Sequence, residues 1–350
     1  MNGERSDTLS TYRHLRLAMP LLLVMLLVAV GQGALSAPPG VCFEGSISGY
    51  YFTSVRAVFV TALCALGTCL IVYRGNRDDE DIALNVSGAL AFVVAFVPTR
   101  VPSDTDVKCS ATNVPRPDHL EEAVTNNMWA MIIASLAAIV VAMILVALSN
   151  QTAKRDGRVP STAPMRALWV FLGVLALGTV AFVRWPDGFR ANAHTTAAFG
   201  TFIGILAVVV LNAFNSGRPV RRRTVSGLIE DTVGDIPPPA EQAAEGVAGG
   251  DLGAGGDQPD ERRLVIARKW YVGVAAAMVA TMAIISLLYW RVSGWRHGVL
   301  WIEGLLLSEF LVFWVVQTYE LWYVTRRDAP PVDTRTRGTE PAGTGAPARA

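Results

Sequence analysis

Charge is scarce in this chain of 350 residues. Charged side chains make up only 17% of the sequence, and 30 basic residues nearly cancel 29 acidic ones. Soluble domains carry about a quarter charged residues. Histidine and cysteine are also rare, with 4 residues each. This composition excludes a disordered chain, a basic nucleic-acid binder and a disulfide-dense secreted domain.

Common sequence motifs for cofactor binding and metal binding are absent as well. The sequence has no phosphate-binding Gly-rich loop ending in Lys, no dinucleotide fingerprint, no Cys-x-x-Cys and no His-Glu-x-x-His. We therefore predict no cofactor, no metal site and no nucleic-acid partner.

Apolar residues are abundant, at 52% of the chain. Crossing a bilayer takes about 20 mostly apolar residues as a helix, and helices satisfy their own backbone groups in lipid. Eight stretches meet this description: Leu17–Leu35, Val55–Tyr73, Ile82–Pro98, Met128–Leu148, Ala167–Val183, Thr195–Phe214, Trp270–Trp290 and Gly298–Trp322. The sequence thus predicts an all-α, polytopic transmembrane bundle of about eight helices.

The basic residues are distributed unequally between the two sides of this bundle. With the N-terminus inside, 22 of the 30 lie in inner segments. Short cytoplasmic loops are enriched in Lys and Arg, so both termini are predicted to be cytoplasmic. Basic residues are mostly Arg, and Ala, Val and Gly are abundant, which is typical of a GC-rich bacterial genome. We therefore expect a multi-pass protein of the cytoplasmic (inner) membrane.

The first helix has a second interpretation. Arg13, His14 and Arg16 precede an apolar run, and small residues follow at Ala34 and Ser36. This pattern also resembles a secretory signal peptide, whose cleavage would leave seven helices in unchanged orientation.

Five segments are predicted along the chain. The segment 215–269 has no aromatic residue, and it includes three consecutive prolines and a Gly/Ala/Asp-rich run, so it is too polar to order itself. The organisation is a cytoplasmic N-terminus (1–16), a six-helix membrane domain (17–214), a disordered cytoplasmic linker (215–269), a two-helix hairpin (270–322) and a disordered cytoplasmic tail (323–350).

Ionisable residues within a bilayer-spanning helix are candidates for function because inserting them costs about 2.5–3.5 kcal/mol at the centre. The last predicted helix contains Glu303, Glu309 and Glu320, and Glu309 lies in its middle. Glu309 is either a buried neutral carboxyl that joins two helices or a group with a proton or substrate role. The second interpretation would make the protein a proton-coupled transporter.

Several polar residues fall at the outer leaflet. Arg suits a phosphate group, Tyr suits the membrane interface, and His and Glu suit proton transfer. We expect an outer-facing pocket that binds membrane lipid or another amphiphile. Its candidate residues are Tyr51, Arg56, His194 and Glu303, with Asn85 nearer the cytoplasmic side.

Three of the outer residues also allow an enzymatic alternative. Ser48, His194 and Glu303 have the chemistry of a nucleophile, a base and an orienting carboxylate, as a lipid hydrolase or acyl transferase would need. An outer-loop cap whose polar groups satisfy one another is the interpretation that we favour, so an enzyme is not the leading prediction.

Cys42 and Cys109 fall in two different outer loops. Both thiols would face an oxidising compartment, so we regard them as a candidate disulfide.

A run of short motifs carries a family resemblance. The motifs are Ser46–Tyr51, Val55–Val60, Tyr73–Gly75, Asn85–Gly88, Phe96–Pro98 and His194–Phe199. In this order they resemble uncharacterised bacterial multi-span membrane proteins of the DUF998 type and, more distantly, the Frag1/DRAM/Sfk1 group. The resemblance implies a role in membrane lipid organisation and supplies no catalytic motif. The matching polar positions are Ser48, Tyr51, Arg56, Asn85 and His194, whereas Ala57 stands where an Asp is expected.

Overall fold

The chain forms a bundle of α-helices. A computed structural model describes residues 2–36, 44–99, 120–155, 163–215, 261–292 and 297–323, and these contain eight α-helices and no strand. The helices are α1 (Asn2–Leu35), α2 (Arg56–Val72), α3 (Asp78–Phe96), α4 (Leu120–Arg155), α5 (Ala163–Arg184), α6 (Pro186–Asn215), α7 (Glu261–Arg291) and α8 (Gly298–Glu320). A 3-10 helix (Ser48–Phe52) precedes α2. The prediction of an all-α bundle is confirmed.

Six of the helices, all except α2 and α3, are long and apolar enough to cross a membrane. Helix α2 is apolar but has only 17 residues, and α3 carries four acidic residues in its first turn. Many large apolar side chains on the long helices are exposed, as lipid contact requires. The chain is a multi-pass integral membrane protein.

Several helices begin earlier than the apolar pattern predicted. Helix α1 begins at Asn2, within the predicted cytoplasmic N-terminus, and α7 begins at Glu261, so the last nine residues of the predicted linker are helical. Helix α6 begins at Pro186 because proline suits the first helical position and Asp187 follows in the first turn. Hydropathy detects the apolar part of a helix, which lies in lipid. It does not detect the polar residues at the start of the same helix.

Six helices contact one another in a closed order that differs from the chain order. Each helix in the order α1, α2, α3, α6, α7 and α8 contacts the next one, and α8 contacts α1. Helices α4 and α5 pack outside this ring, against α3 and each other, and α5 also touches α6. The hairpin of α7 and α8 is therefore part of the same ring as α1, α2, α3 and α6.

Each ring helix turns one stripe of residues, spaced by three or four, toward the interior. Residues at this spacing share one helix face. On α8 the stripe is Glu303, Leu307, Phe310, Trp314 and Gln317, and on α3 it is Glu80, Leu84, Ser87, Ala91 and Val94. The α1 stripe is Arg16, Met19, Leu23, Leu26 and Val30. We call the end of the ring that holds Arg16, Glu80 and Gln317 the inner end, and the end that holds Glu303 the outer end.

Two glycines allow the backbones of α2 and α3 to approach each other closely. A Cβ on Gly67 of α2 would lie 2.8 Å from the carbonyl oxygen of Gly88 on α3, and a Cβ on Gly88 would lie 2.6 Å from that of Gly67. Backbone atoms cannot move away as a flexible side chain can, so only glycine fits at either position. The contact lets α2 and α3 pack backbone to backbone.

We expect Gly88→Ala to destabilise the protein by about 1–3 kcal/mol because the new methyl group separates α2 from α3. Gly173→Ala on α5 is the matched control, since nothing lies within 4 Å of a Cβ there. Both substitutions gain the same helix propensity, so their difference isolates the contact. Thermal unfolding of the purified protein in detergent measures it. Equal melting temperatures for the two variants would refute the close approach.

Candidate functional site

We call residues 44–55, which precede α2, the outer loop. A cavity lies inside the ring, between the outer loop and the middle of the bundle. It contains about 620 Å³ of space between atoms, including the solvent space at its opening. The lining residues are Leu23, Leu26, Ile47, Ser48, Phe59, Leu63, Leu66, Leu70, Ala91, Val94, Ala198, Thr201, Phe202, Ile205, Glu303, Leu307 and Phe310. All but Ser48, Thr201 and Glu303 are apolar, so a hydrocarbon group suits this space better than ordered water does.

Glu303 and Ser48 form the polar outer end of the cavity. The Ser48 hydroxyl donates to Glu303 Oε1 at 3.0 Å, and the backbone N–H groups of Ile47 and Ser48 donate to Oε2 at 2.6 and 3.4 Å. The N–H of Leu300 also donates to the carbonyl oxygen of Gly45 at 2.8 Å. Glu303 therefore fastens the outer loop to α8, as the predicted cap of mutually satisfied polar groups requires.

Arg56 and Tyr51 lie beside this cap. The Arg56 guanidinium stands 4.4 Å from the centroid of the Tyr51 ring and donates to its hydroxyl at 2.9 Å. The Tyr51 ring packs edge-on against Phe59, which lines the cavity. Over the described part of the chain, no carboxylate lies within 4.0 Å of Arg56. Its positive charge is thus available to an anionic group.

His194 holds α6 against the end of α3. Its Nδ1 lies 2.6 Å from the carbonyl oxygen of Val97, the residue that follows α3, and the side chain is buried. A histidine at this place satisfies a helix-terminal carbonyl. His194 does not line the cavity, and the structure records no hydrogen bond between it and Ser48 in the described regions. Ser48 and Glu303 are thus brought together, and His194 is engaged elsewhere.

Asn85 and Glu309 lie away from the outer group. Asn85 is half-buried in the first half of α3, nearer to Glu80 than to the outer end. Glu309 accepts a hydrogen bond from the hydroxyl of Thr281 on α7 at 2.7 Å, while its Oε2 is buried without a partner. The contact with α7 is the interhelical link that one of the two interpretations anticipated. Cys42 and Cys109 lie outside the described residues.

The outer loop also buries a carboxyl group of its own. Glu44 is 8% exposed, and burial raises its pKa above the ordinary value of 4.5. Burial raises the pKa of Tyr50 as well, and the nearby charge of Glu44 adds to this effect. Both shifts favour the neutral forms of these two groups.

A polar cluster at the inner end includes Glu80, which was not among the predicted site residues. Glu80 on α3 is only 2% exposed, and its Oε1 accepts hydrogen bonds from Asn212 on α6 at 2.9 Å and Gln317 on α8 at 3.4 Å. Its Oε2 accepts from the backbone N–H of Asn76 at 2.9 Å. The predicted third apolar stretch begins only at Ile82, whereas the run from Asp78 to Asp81 is the acidic first turn that is typical of a helix start. That signal places Glu80 on α3, and its position on the inward stripe then follows.

The chain matches no protein-family model, and no curated protein or solved structure is significantly similar to it. The resemblance to the DUF998 type stays a prediction. The geometry therefore carries the functional argument alone.

We expect Glu303→Ala to lower stability by about 1–3 kcal/mol because it leaves two backbone N–H groups of the outer loop without acceptors. Ser308→Ala on the same helix is the control, since that hydroxyl bonds only to the carbonyl of Gly304, one turn before it. Limited proteolysis of the loop should accelerate in Glu303→Ala alone. Identical loop cleavage in both variants would contradict the cap.

Proposed function

We propose that this protein binds an amphiphile of the outer leaflet, of the class of single-chain acidic lipids, and that it does so in the cytoplasmic membrane of a bacterium. The observation that carries the proposal is the position of the cavity. Its walls are apolar and its polar end is formed by Ser48 and Glu303. Arg56, which has no carboxylate partner in the described regions, lies one turn of α2 before Phe59 of the wall.

The binding energy must come chiefly from the polar end. A hydrocarbon chain leaving the bilayer for the cavity gains little, because lipid tails are as apolar as the leucines of the wall. A guanidinium that meets an anionic head group forms a charge-assisted hydrogen bond, which is stronger than a neutral one. Arg56 is therefore expected to select acidic amphiphiles, and the cavity to select chains that fit.

The test uses a photoreactive fatty acid with the purified protein in neutral detergent. We expect Ala198→Phe, which fills the cavity, and Arg56→Gln, which removes the charge, each to reduce labelling about tenfold, the factor that about 1.4 kcal/mol corresponds to. Ala137→Phe on the exposed face of α4 is the matched control and should label as wild type does.

Labelling that is unchanged in Ala198→Phe would contradict binding in the cavity. Labelling that is lost equally in Ala198→Phe and Ala137→Phe would indicate damage to the fold, which the melting temperatures of the two variants report. Equal labelling of Arg56→Gln and wild type would contradict the role of Arg56.

A second candidate function rests on Glu309. One of its oxygens binds Thr281 and the other is buried without a partner, as suits a protonated carboxyl that can exchange its proton. A transporter would be supported if vesicles with the wild-type protein take up a solute together with protons and vesicles with Glu309→Gln do not. Continued uptake by Glu309→Gln would end this alternative. The enzymatic alternative has less support because the Ser48 hydroxyl donates to Glu303 instead of to His194.

A further inference from the structure

The inner end of the ring contains a second polar site, separate from the outer cavity. It consists of the Glu80 carboxylate and the amide groups of Asn212 and Gln317, which come from three different helices. All three side chains are at most 2% exposed. None of them lines the outer cavity.

Three hydrogen-bond donors surround the Glu80 side chain. They are the side-chain amides of Asn212 and Gln317 and the backbone N–H of Asn76, and all are directed at its oxygens. All three donors are neutral. In the described regions no Lys, Arg or His lies within 4.0 Å of this carboxylate.

The described regions supply only part of a positive charge to the Glu80 carboxylate. The start of α3 contributes about half a positive charge. Arg16, the fully buried cation at this end, binds the hydroxyl of Tyr73 and the carbonyl oxygen of Leu321. Asp81 accepts a hydrogen bond from the N–H of Gly75 and lies 4.0 Å from Arg74, and Glu320 accepts one from the Tyr271 hydroxyl. Burying a charge without a full counter-charge is costly.

Gln317 supplies an independent sign of a missing ligand. Its amide nitrogen donates to Glu80, while its Oε1 on the same group is fully buried and has no hydrogen-bond partner. A carboxylate and an unpartnered amide oxygen thus lie together in a buried place. Hard cations bind oxygen ligands of these two kinds.

We propose that Glu80 and Gln317 bind a monovalent alkali cation, Na⁺ or K⁺, at the inner end of the ring. One carboxylate neutralises one positive charge, which disfavours a divalent ion. No group of three or more His, Cys, Asp or Glu side chains suited to a transition metal or Ca²⁺ occurs in the described part of the chain. The ion would join α3 to α8 and would stabilise the closed ring.

The test measures thermal unfolding of the full chain in detergent, at constant ionic strength, with choline chloride replaced stepwise by NaCl or KCl. A ligand that binds only the folded state raises the melting temperature in a saturable manner, by about 5 °C at a hundred times its Kd. We expect such a rise for one of the two ions in wild type. Glu80→Gln and Gln317→Met should each abolish the rise.

Ser308→Ala, which changes a hydroxyl that touches no residue of this site, is the control and should keep the full rise. Wild type that responds equally to choline, Na⁺ and K⁺ would overturn the proposal. So would a rise that persists in both Glu80→Gln and Gln317→Met, because the ion would then bind elsewhere. A melting temperature that changes with pH but not with the cation would also overturn the proposal, because the site would then bind a proton. If Glu80→Gln does not fold, Gln317→Met decides, since it removes the amide oxygen and leaves the carboxylate.

Discussion

The carboxylate of Glu80 is the constraint on which the ring depends. It accepts hydrogen bonds from α6 through Asn212 and from α8 through Gln317, and it also holds the turn before α3 through Asn76. A buried carboxylate without these donors would be far more costly than one exposed to water. The three helices must therefore keep the same depth and the same faces toward one another, which fixes their inward stripes.

The outer cavity follows from that arrangement. The α8 stripe that ends at Gln317 begins at Glu303, so the contact with Glu80 also directs Glu303 toward the interior at the other end. There it meets the loop that precedes α2 and fastens Ser48 above the apolar walls. Large aromatic side chains, Phe310 and Trp314, separate the two polar ends. The molecule thus has one polar site near each end of the ring and an apolar centre.

The helices and the depth of their polar residues could be predicted from the sequence, whereas the contacts between helices could not. Hydropathy located all eight helices, and depth alone singled out Glu303, Arg56 and Glu309. Periodicity does not tell which helices are neighbours, so the pairing of Glu303 with Ser48 and of His194 with Val97 needed the structure. Glu80 was missed for another reason. Its three acidic neighbours lower the local hydropathy, and a buried helix start then looks like a solvated loop.

The most direct test of the account is a double-mutant cycle between Glu80 and Asn212. The variants Glu80→Gln, Asn212→Leu and the double substitution are compared with wild type by the free energy of unfolding in detergent. Residues in one buried hydrogen-bond network couple by about 0.5–3 kcal/mol, and we expect a value in this range because the two side chains are bonded at 2.9 Å. The cycle between Glu80 and Thr281 of α7, whose hydroxyl binds Glu309, is the control and should be additive. Additive effects at Glu80 and Asn212 would contradict the claim that this carboxylate holds the ring together.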